Sequence, residues 1–224
     1  MRAILFDIGN VLLFFDHGIA FRRAAELCGR SPEEVKQLVV ASGLEREFDE
    51  GRIPTEEFID RVRGLLSLNA SNATITDTWC RIFWPNVPVV RLVDGLAETH
   101  RLVLVSNTNE MHMSFLRERF PVLRLFQGAA LSYQVGHRKP AKEIYEAAMA
   151  QAGLPPQDCT HVDDVAEYCE AARALGMESI HYKPDEDLGA AIASLETRGR
   201  STTPSRRVWQ PPETGGSHPR PPHT

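Results

Sequence analysis

The sequence has few cysteines and no long hydrophobic run. Its 224 residues include four cysteines, none in a CxxC pair, so neither a disulfide framework nor a structural zinc site is indicated. No stretch approaches the roughly 20 apolar residues that would cross a bilayer. The segment MRAILFDIGNVLLFF at the N-terminus also lacks the apolar core and cleavage site of a signal peptide. We therefore expect a cytoplasmic protein that does not bind membranes.

Acidic residues outnumber basic ones outside the C-terminal segment, residues 198–224. That segment contains five arginines and one acid, so a formal net charge of -5 for the whole chain leaves -9 on residues 1–197. An acidic body argues against nucleic acid as the main partner. The segment also holds six of the 15 prolines and almost no aliphatic residues. It cannot bury enough apolar surface to offset its ordering entropy, so we predict that it is disordered.

Short apolar runs alternate with helical patterns along much of the chain. The predicted strands are residues 3–7, 102–106, 160–163 and 179–182, with a weaker one at 128–132. The predicted helices between them include residues 89–100, 140–153 and 166–176. Near-continuous apolar runs of this length are typical of strands buried on both faces of a parallel sheet. The expected fold is therefore α/β, with a Rossmann-like parallel sheet as its core.

One stretch, residues 17–86, interrupts this alternation. It contains four helical patterns and no strand signal, which predicts an all-helical, four-helix cap inserted after the first strand. Because open α/β sheets bind ligands beyond the carboxyl ends of their strands, we expect this cap to cover that edge. The predicted core then comprises residues 1–16 and 87–197.

Polar residues follow several of the predicted strands. Asp7, Ser106 and the pair Asp163-Asp164 stand at strand ends, and Lys139 lies in a loop before a helix. The carboxyl ends of parallel strands lie side by side, so these residues are expected to converge. Carboxylate oxygens suit Mg²⁺, which often binds one or two carboxylates and a substrate phosphate. A carboxylate can also attack phosphorus to form an aspartyl-phosphate, with the metal and the lysine stabilising the transferring group.

Four motifs carry a resemblance to a known family. FDIGNVL, LVLVSNTN, GHRKPAKEIY and HVDD resemble, in order and spacing, the four motifs of the haloacid dehalogenase-like (HAD) superfamily, over roughly residues 1–185. SNTNEMH is similar to a motif of alpha-D-glucose-1-phosphate phosphatase-like members, which have a small helical cap. FDEGRIPTEEF resembles a cap segment of the sugar-phosphatase-like branch.

The resemblance implies roles for metal-binding residues. Asp7 would be the nucleophile and a magnesium ligand, and the backbone carbonyl of Gly9 would supply a second ligand. Asp164 would be a further ligand. Asp163 would either assist metal binding through a water molecule or orient Lys139.

The resemblance also implies a phosphate site. Ser106 and the backbone amide of Asn107 would bind a phosphoryl oxygen, and Lys139 would pair with both Asp7 and the phosphate. The partner would be a small phosphorylated metabolite, while the oligomeric state is left open.

One position departs from the family pattern. Most phosphatases of the superfamily carry a second aspartate two residues after the nucleophile, where this chain has Gly9. General acid and base assistance is worth about 10²- to 10⁴-fold. Three explanations stand: the substrate has a good leaving group, another residue such as Asp16 or His17 replaces the aspartate, or the protein binds phosphorylated ligands without efficient turnover.

The favoured function is a Mg²⁺-dependent phosphomonoester hydrolase that acts through an aspartyl-phosphate at Asp7, with a sugar phosphate as the favoured substrate. The alternative is a catalytically weak protein that binds phosphorylated ligands. A haloacid dehalogenase is less favoured, because that reaction needs no magnesium and those enzymes lack a pair like Asp163-Asp164.

Overall fold

The computed structural model describes residues 2–199, in which strands and helices alternate over most of the chain. The strands are β1 (Ala3–Phe6), β2 (Leu13–Phe15), β3 (Phe83–Pro85), β4 (Arg101–Ser106), β5 (Gly128–Leu131), β6 (Cys159–Asp163) and β7 (Glu178–His181). The helices are α1 (His17–Cys28), α2 (Pro32–Ser42), α3 (Leu44–Asp49), α4 (Thr55–Leu66), α5 (Asn72–Cys80), α6 (Val87–Leu96), α7 (Glu110–Arg119), α8 (Ser132–Val135), α9 (Lys142–Ala152), α10 (Ala166–Ala174) and α11 (Leu188–Gly199). No described helix is both long and apolar enough to cross a membrane.

Five strands form one parallel sheet in the order β5-β4-β1-β6-β7. The central strand β1 pairs with β4 on one side and with β6 on the other, so that Ala3 stands opposite both Arg101 and Cys159. The five strands lie within one or two residues of the predicted ones. The predicted α/β fold with a Rossmann-like sheet is confirmed.

Both faces of this sheet are covered by helices. Side chains alternate between the two faces along a strand, and in β1 and in residues 102–105 of β4 both sets are apolar. One set packs with α6 and α7, and comprises Ile4, Phe6, Leu102, Leu104, Val89, Val93, Met113 and Leu116. The other set packs with α9, and comprises Ala3, Leu5, Val103, Val105, Ile144, Tyr145 and Ala148. Burial of each large apolar side chain contributes about 1.5–3 kcal/mol to the stability of the fold. This packing holds the strands in place, and with them the polar residues at their ends.

The inserted segment has an apolar core of its own. Helices α1 to α5 pack around a buried aromatic group in which Phe48 and Phe58 stack at 4.4 Å and Trp79 meets Phe58 edge-on at 6.0 Å. We call these five helices the cap. The domain boundaries at residues 16/17 and 86/87 stay a prediction.

The segment differs from the sequence prediction in two respects. It contains five helices where four were predicted. The additional helix, α3, has only six residues, which is too short to show a helical repeat. It also ends in a strand: β3 pairs antiparallel with β2, where a helix was expected to continue to residue 83. Periodicity within either segment cannot reveal a pairing between chain segments about 70 residues apart.

The predicted disordered segment, residues 198–224, lies almost wholly outside the described residues. Its first two residues differ from the prediction, since α11 extends to Gly199.

Candidate active site

The polar residues at the strand ends meet at one edge of the sheet. Asp7 directly follows β1, Ser106 ends β4 and Asp163 ends β6, while Lys139 lies in the loop between α8 and α9. The Lys139 Nζ atom lies 3.0 Å from Asp7 Oδ1 and 2.6 Å from Asp163 Oδ2. All four side chains are buried. The structure therefore brings Asp7 and Asp163 together around one lysine ammonium, and a hydrogen bond with the side chain of Ser106 lowers the pKa of Asp7.

Burial and charge act against each other on these groups. Burial raises the pKa of Asp7 to about 6, although the Lys139 ammonium opposes this rise. Burial also raises the pKa of Asp163, but Lys139 and His161 outweigh it and leave that pKa at about 2. The two carboxylates in turn overcome the effect of burial on Lys139 and raise its pKa. The lysine is therefore charged and is held between two acids.

Three carboxylates could hold a metal ion here. Asp7, Asp163 and Asp164 each place an oxygen within 4.8 Å of the others, and such oxygens fit magnesium. The two oxygens of Asp163 are already engaged, since Oδ2 accepts from Lys139 Nζ and Oδ1 accepts from the Val165 amide at 2.9 Å. Asp7 and Asp164 both face the cleft beside the site. These contacts favour Asp163 as the residue that orients Lys139.

Asn10 supports this set of carboxylates, although sequence reasoning gave it no role. Its Nδ2 donates to Asp164 Oδ2 at 3.1 Å. Its backbone has a φ of +54°, in the left-handed region that asparagine tolerates better than most residues. The FDIGN motif contained this residue, but the contact joins positions 154 residues apart.

Asn107 fixes the backbone of Lys139. Its Oδ1 accepts from the Lys139 amide at 2.7 Å, and its Nδ2 donates to the Lys139 carbonyl at 3.1 Å. The ring of Tyr168 lies 5.2 Å from Lys139 Nζ, and its hydroxyl accepts from Asn107 Nδ2 at 3.3 Å. The side chain of Asn107 thus positions the lysine. The expected role of its backbone amide in phosphate binding stays a prediction.

A cleft of about 420 Å³ opens from Asp7 towards the cap. Asp49, at the end of α3, lines it and accepts from Asn109 Nδ2 at 3.0 Å. Arg138 Nη2 lies 3.7 Å from Asp49 Oδ2. Burial raises the pKa of Asp49, and both neighbours oppose that rise. This link between cap and core was not predicted, although Asp49 belongs to the FDEGRIPTEEF motif.

The two candidates for replacing the missing aspartate lie in different places. Asp16 is turned to α1, where its Oδ1 accepts from the Gly18 amide at 2.7 Å and Oδ2 pairs with Arg22 at 3.3 Å. It caps that helix, so the suggestion that it acts in the site is not supported. His17 lines the cleft, as does Gly9.

A parallel sheet with carboxylates and a lysine at its strand ends, under a helical insertion, defines a class of hydrolases. The haloacid dehalogenase-like hydrolase profile matches residues 1–176, and the chain belongs to this family. The predicted family and the predicted hydrolase class are confirmed. The assignment to the glucose-1-phosphate phosphatase-like branch stays a prediction.

Two similar proteins have named activities. D-ribitol-5-phosphate phosphatase of Bacteroides thetaiotaomicron is 27% identical, with 80% of this chain and 90% of that protein covered. A sesquiterpene phosphatase of Aspergillus oryzae is 24% identical, with 80% and 89% covered. A similar solved structure is a HAD family enzyme from Bacteroides thetaiotaomicron in complex with magnesium and inorganic phosphate. It has a TM-score of 0.76 and 27% identity, and covers 85% of this chain and 98% of that one.

Proposed function

We propose that this protein is a magnesium-dependent phosphatase that hydrolyses phosphomonoesters of small metabolites. The observation that carries the proposal is the Lys139 ammonium, which is held between Asp7 and Asp163 and lines a cleft together with Asp164. Family membership and the two phosphatase relatives support it. A cytoplasmic location, inferred from the sequence, stays a prediction.

Asp7 is the nucleophile of the proposed reaction. With a pKa of about 6, its carboxylate is largely ionised at neutral pH. One of its oxygens forms a bond to phosphorus while the bond from phosphorus to the ester oxygen breaks, and water later attacks this aspartyl-phosphate to release phosphate. Lys139 holds Asp7 in place and balances charge on the phosphoryl oxygens.

The remaining site residues bind and orient. Ser106 and the amide of Asn107 hold a phosphoryl oxygen, and Asp163 keeps Lys139 in position. Asp7, Asp164 and the carbonyl of Gly9 would hold the magnesium ion, whose charge stabilises the phosphoryl oxygens when it is bound.

We propose a sugar or polyol phosphate as the substrate. The cleft lies within the size range of small-molecule sites, roughly 300–1,000 Å³, at about 420 Å³. Charged side chains from both parts of the molecule line it, among them Asp49, Arg46 and Arg138, and such groups can hydrogen-bond hydroxyls. The relative named for ribitol 5-phosphate agrees with this class.

The test is phosphate release from a panel of hexose and pentitol phosphates, with Mg²⁺ or with EDTA. We expect release that requires Mg²⁺ and is lost in Asp7→Asn, while the exposed Asp94→Asn on α6 serves as the matched control and keeps full activity. Activity retained in Asp7→Asn would overturn the covalent mechanism. No release from folded protein that binds Mg²⁺ would favour the alternative, a phosphate-binding protein without efficient turnover.

A further inference from the structure

A buried histidine lies beside the acid that holds Lys139. His161 is in β6, two residues before Asp163, and side chains two residues apart on a strand project from the same face. Both of these side chains are completely buried. The His161 Nε2 atom lies 3.4 Å from Asp163 Oδ2, and the same oxygen accepts from Lys139 Nζ at 2.6 Å. An imidazole and an ammonium group therefore share one carboxylate oxygen.

The Nε2 atom of His161 has a burial cost that this carboxylate is placed to offset. A buried polar group without a hydrogen bond is unfavourable, and Nε2 makes no hydrogen bond in the structure. Its separation of 3.4 Å from Asp163 Oδ2 is slightly beyond the usual range of roughly 2.7–3.2 Å for an N–H···O bond. Because an ionised carboxylate only accepts hydrogen bonds, a hydrogen on Nε2 and a small shift of the ring complete this bond.

The other side of the ring is held by the neighbouring strand and by α9. Strands β6 and β7 pair so that His161 stands opposite Ser179, and Nδ1 lies 3.2 Å from Ser179 Oγ. The ring of Tyr145 packs edge to face on the imidazole, with the centroids 5.4 Å apart. Burial lowers the pKa of His161, and a neutral ring with its hydrogen on Nε2 accepts the Ser179 hydroxyl at Nδ1. These contacts direct Nε2 towards Asp163.

We propose that His161 is a positioning residue of the phosphatase reaction, whose Nε2–H donates to Asp163 and so keeps Lys139 in place. This inference rests on the proposed function and adds a residue to that site. His161 is fully buried and does not line the cleft, so it acts through Asp163 and not on the substrate. The Val165 amide holds the other oxygen of Asp163 at 2.9 Å. The carboxylate is then fixed at both of its oxygens.

The position of Lys139 matters because its charge must lie where negative charge develops. Its Nζ is shared by Asp163 at 2.6 Å and Asp7 at 3.0 Å. A charge in a buried site stabilises a transition state only when it is held in place beforehand, and a misplacement of about 1 Å costs on the order of 100-fold in rate. Without its bond from His161, the Asp163 carboxylate is free to turn and to carry the ammonium away from Asp7.

The kinetic test compares two variants of His161, with p-nitrophenyl phosphate and saturating Mg²⁺. Leucine has a similar size but no N–H, so in His161→Leu we expect kcat to fall at least about tenfold, with a smaller change in KM. Glutamine keeps an N–H near the place of Nε2, so His161→Gln should retain most of the wild-type kcat. The matched control is Cys159→Ala, a buried change on the same face of β6, which should leave kcat unchanged.

A double-mutant cycle shows whether His161 acts through Asp163. In the Asp163→Asn background, His161→Leu should cause little further loss of kcat, because the charge that the histidine supports has been removed. Equal losses in the two backgrounds would overturn the inference. A folded His161→Leu variant with the kcat of the wild type would overturn it as well.

A spectrum of the wild type tests the contact without relying on activity or on the folding of the His161 variants. In proton–nitrogen correlation spectra of the imidazoles, we expect the hydrogen of His161 on Nε2, identified through nuclear Overhauser contacts with the ring of Tyr145. Asp163→Asn should shift this signal upfield, because an amide oxygen is a weaker acceptor than a carboxylate. A hydrogen on Nδ1 alone, or a signal that Asp163→Asn leaves unchanged, would contradict the inference.

Failure of the proposed function has a different signature. If the wild type releases no phosphate from any ester with Mg²⁺, the phosphatase function is overturned, and the role of His161 in that reaction with it. The spectrum would still report the contact between His161 and Asp163, so the two failures are distinguishable.

Discussion

Asp163 and Asp164 are adjacent in sequence but have different surroundings. Asp163 is fully buried, and both of its oxygens accept hydrogen bonds, from Lys139 and from the Val165 amide. Asp164 is half-buried, lines the cleft and accepts from Asn10. The first carboxylate therefore acts on the lysine, and the second is free to face a metal ion.

Substitution by asparagine should separate these two roles. Asp163→Asn removes the charge that holds Lys139, so we expect kcat to fall on the order of 100-fold with little change in the Mg²⁺ concentration needed for half-maximal rate. Asp164→Asn should raise that concentration more than about tenfold. Titration of activity with Mg²⁺ measures both quantities, and the exposed Asp185→Asn is the control. A larger shift in Mg²⁺ requirement for Asp163→Asn would show that the roles are reversed.

At the scale of elements, the sequence predicts the strands that carry the site. Each is an apolar run followed by a polar residue, as in ILFD before Ile8 and LVLVS before Asn107, and both properties are local. The α3 helix and the pairing of β2 with β3 could not be predicted in this way. The first is too short for a repeat, and the second depends on contacts between distant segments.

The same limit applies to the site itself. Asp7, Ser106 and the aspartate pair could be predicted because they stand at strand ends in recognisable motifs, and Lys139 because it lies in the GHRKP motif. The hydrogen bond from Asn10 to Asp164 joins positions 154 residues apart, and no local residue pattern specifies it.

The cap contacts the core through α3 and the start of α7. Asp49 ends α3 and accepts a hydrogen bond from Asn109, the residue that caps α7. Arg138, in the loop that carries Lys139, also approaches Asp49. A hydrogen bond to a charged group contributes about 1.5–3 kcal/mol. The link therefore favours a cap that is closed over the cleft.

Asp49→Asn should weaken this closure and the binding of substrate. We expect KM to rise at least about fivefold, which corresponds to roughly 1 kcal/mol, with a smaller change in kcat. Steady-state kinetics on the best substrate measure both constants. The control is Glu47→Gln, two residues earlier, which pairs with Arg61 inside the cap and should leave KM unchanged. A fall in kcat at constant KM would instead place Asp49 in the chemical step.

At the scale of the whole molecule, His112 joins cap and core and makes stability depend on pH. It lies on α7 of the core, and its Nε2 meets the carbonyl of Trp79 in α5 of the cap. Burial lowers its pKa from 6.5 to about 4, with the charge of His17 acting in the same direction and the Trp79 carbonyl opposing it. The folded protein therefore keeps this imidazole neutral under conditions where the unfolded chain protonates it.

The sign of the effect follows from proton uptake. Between about pH 4 and 6.5 the unfolded state binds more protons at this residue, so the free energy of unfolding should fall as the pH is lowered, by on the order of 3 kcal/mol in total. Asp7 acts in the opposite direction, because its folded pKa of about 6 lies above its ordinary value. Its contribution cancels when two variants that both keep Asp7 are compared.

Urea unfolding of the wild type and His112→Gln in EDTA, between pH 4 and 7, isolates this contribution. We expect the wild type to lose stability relative to His112→Gln as the pH falls, whatever their difference at pH 7. The exposed His137→Gln should follow the wild type. Parallel curves for the wild type and His112→Gln would mean that His112 titrates alike in the folded and unfolded chains, and that the junction of α5 with α7 does not exclude its charged form.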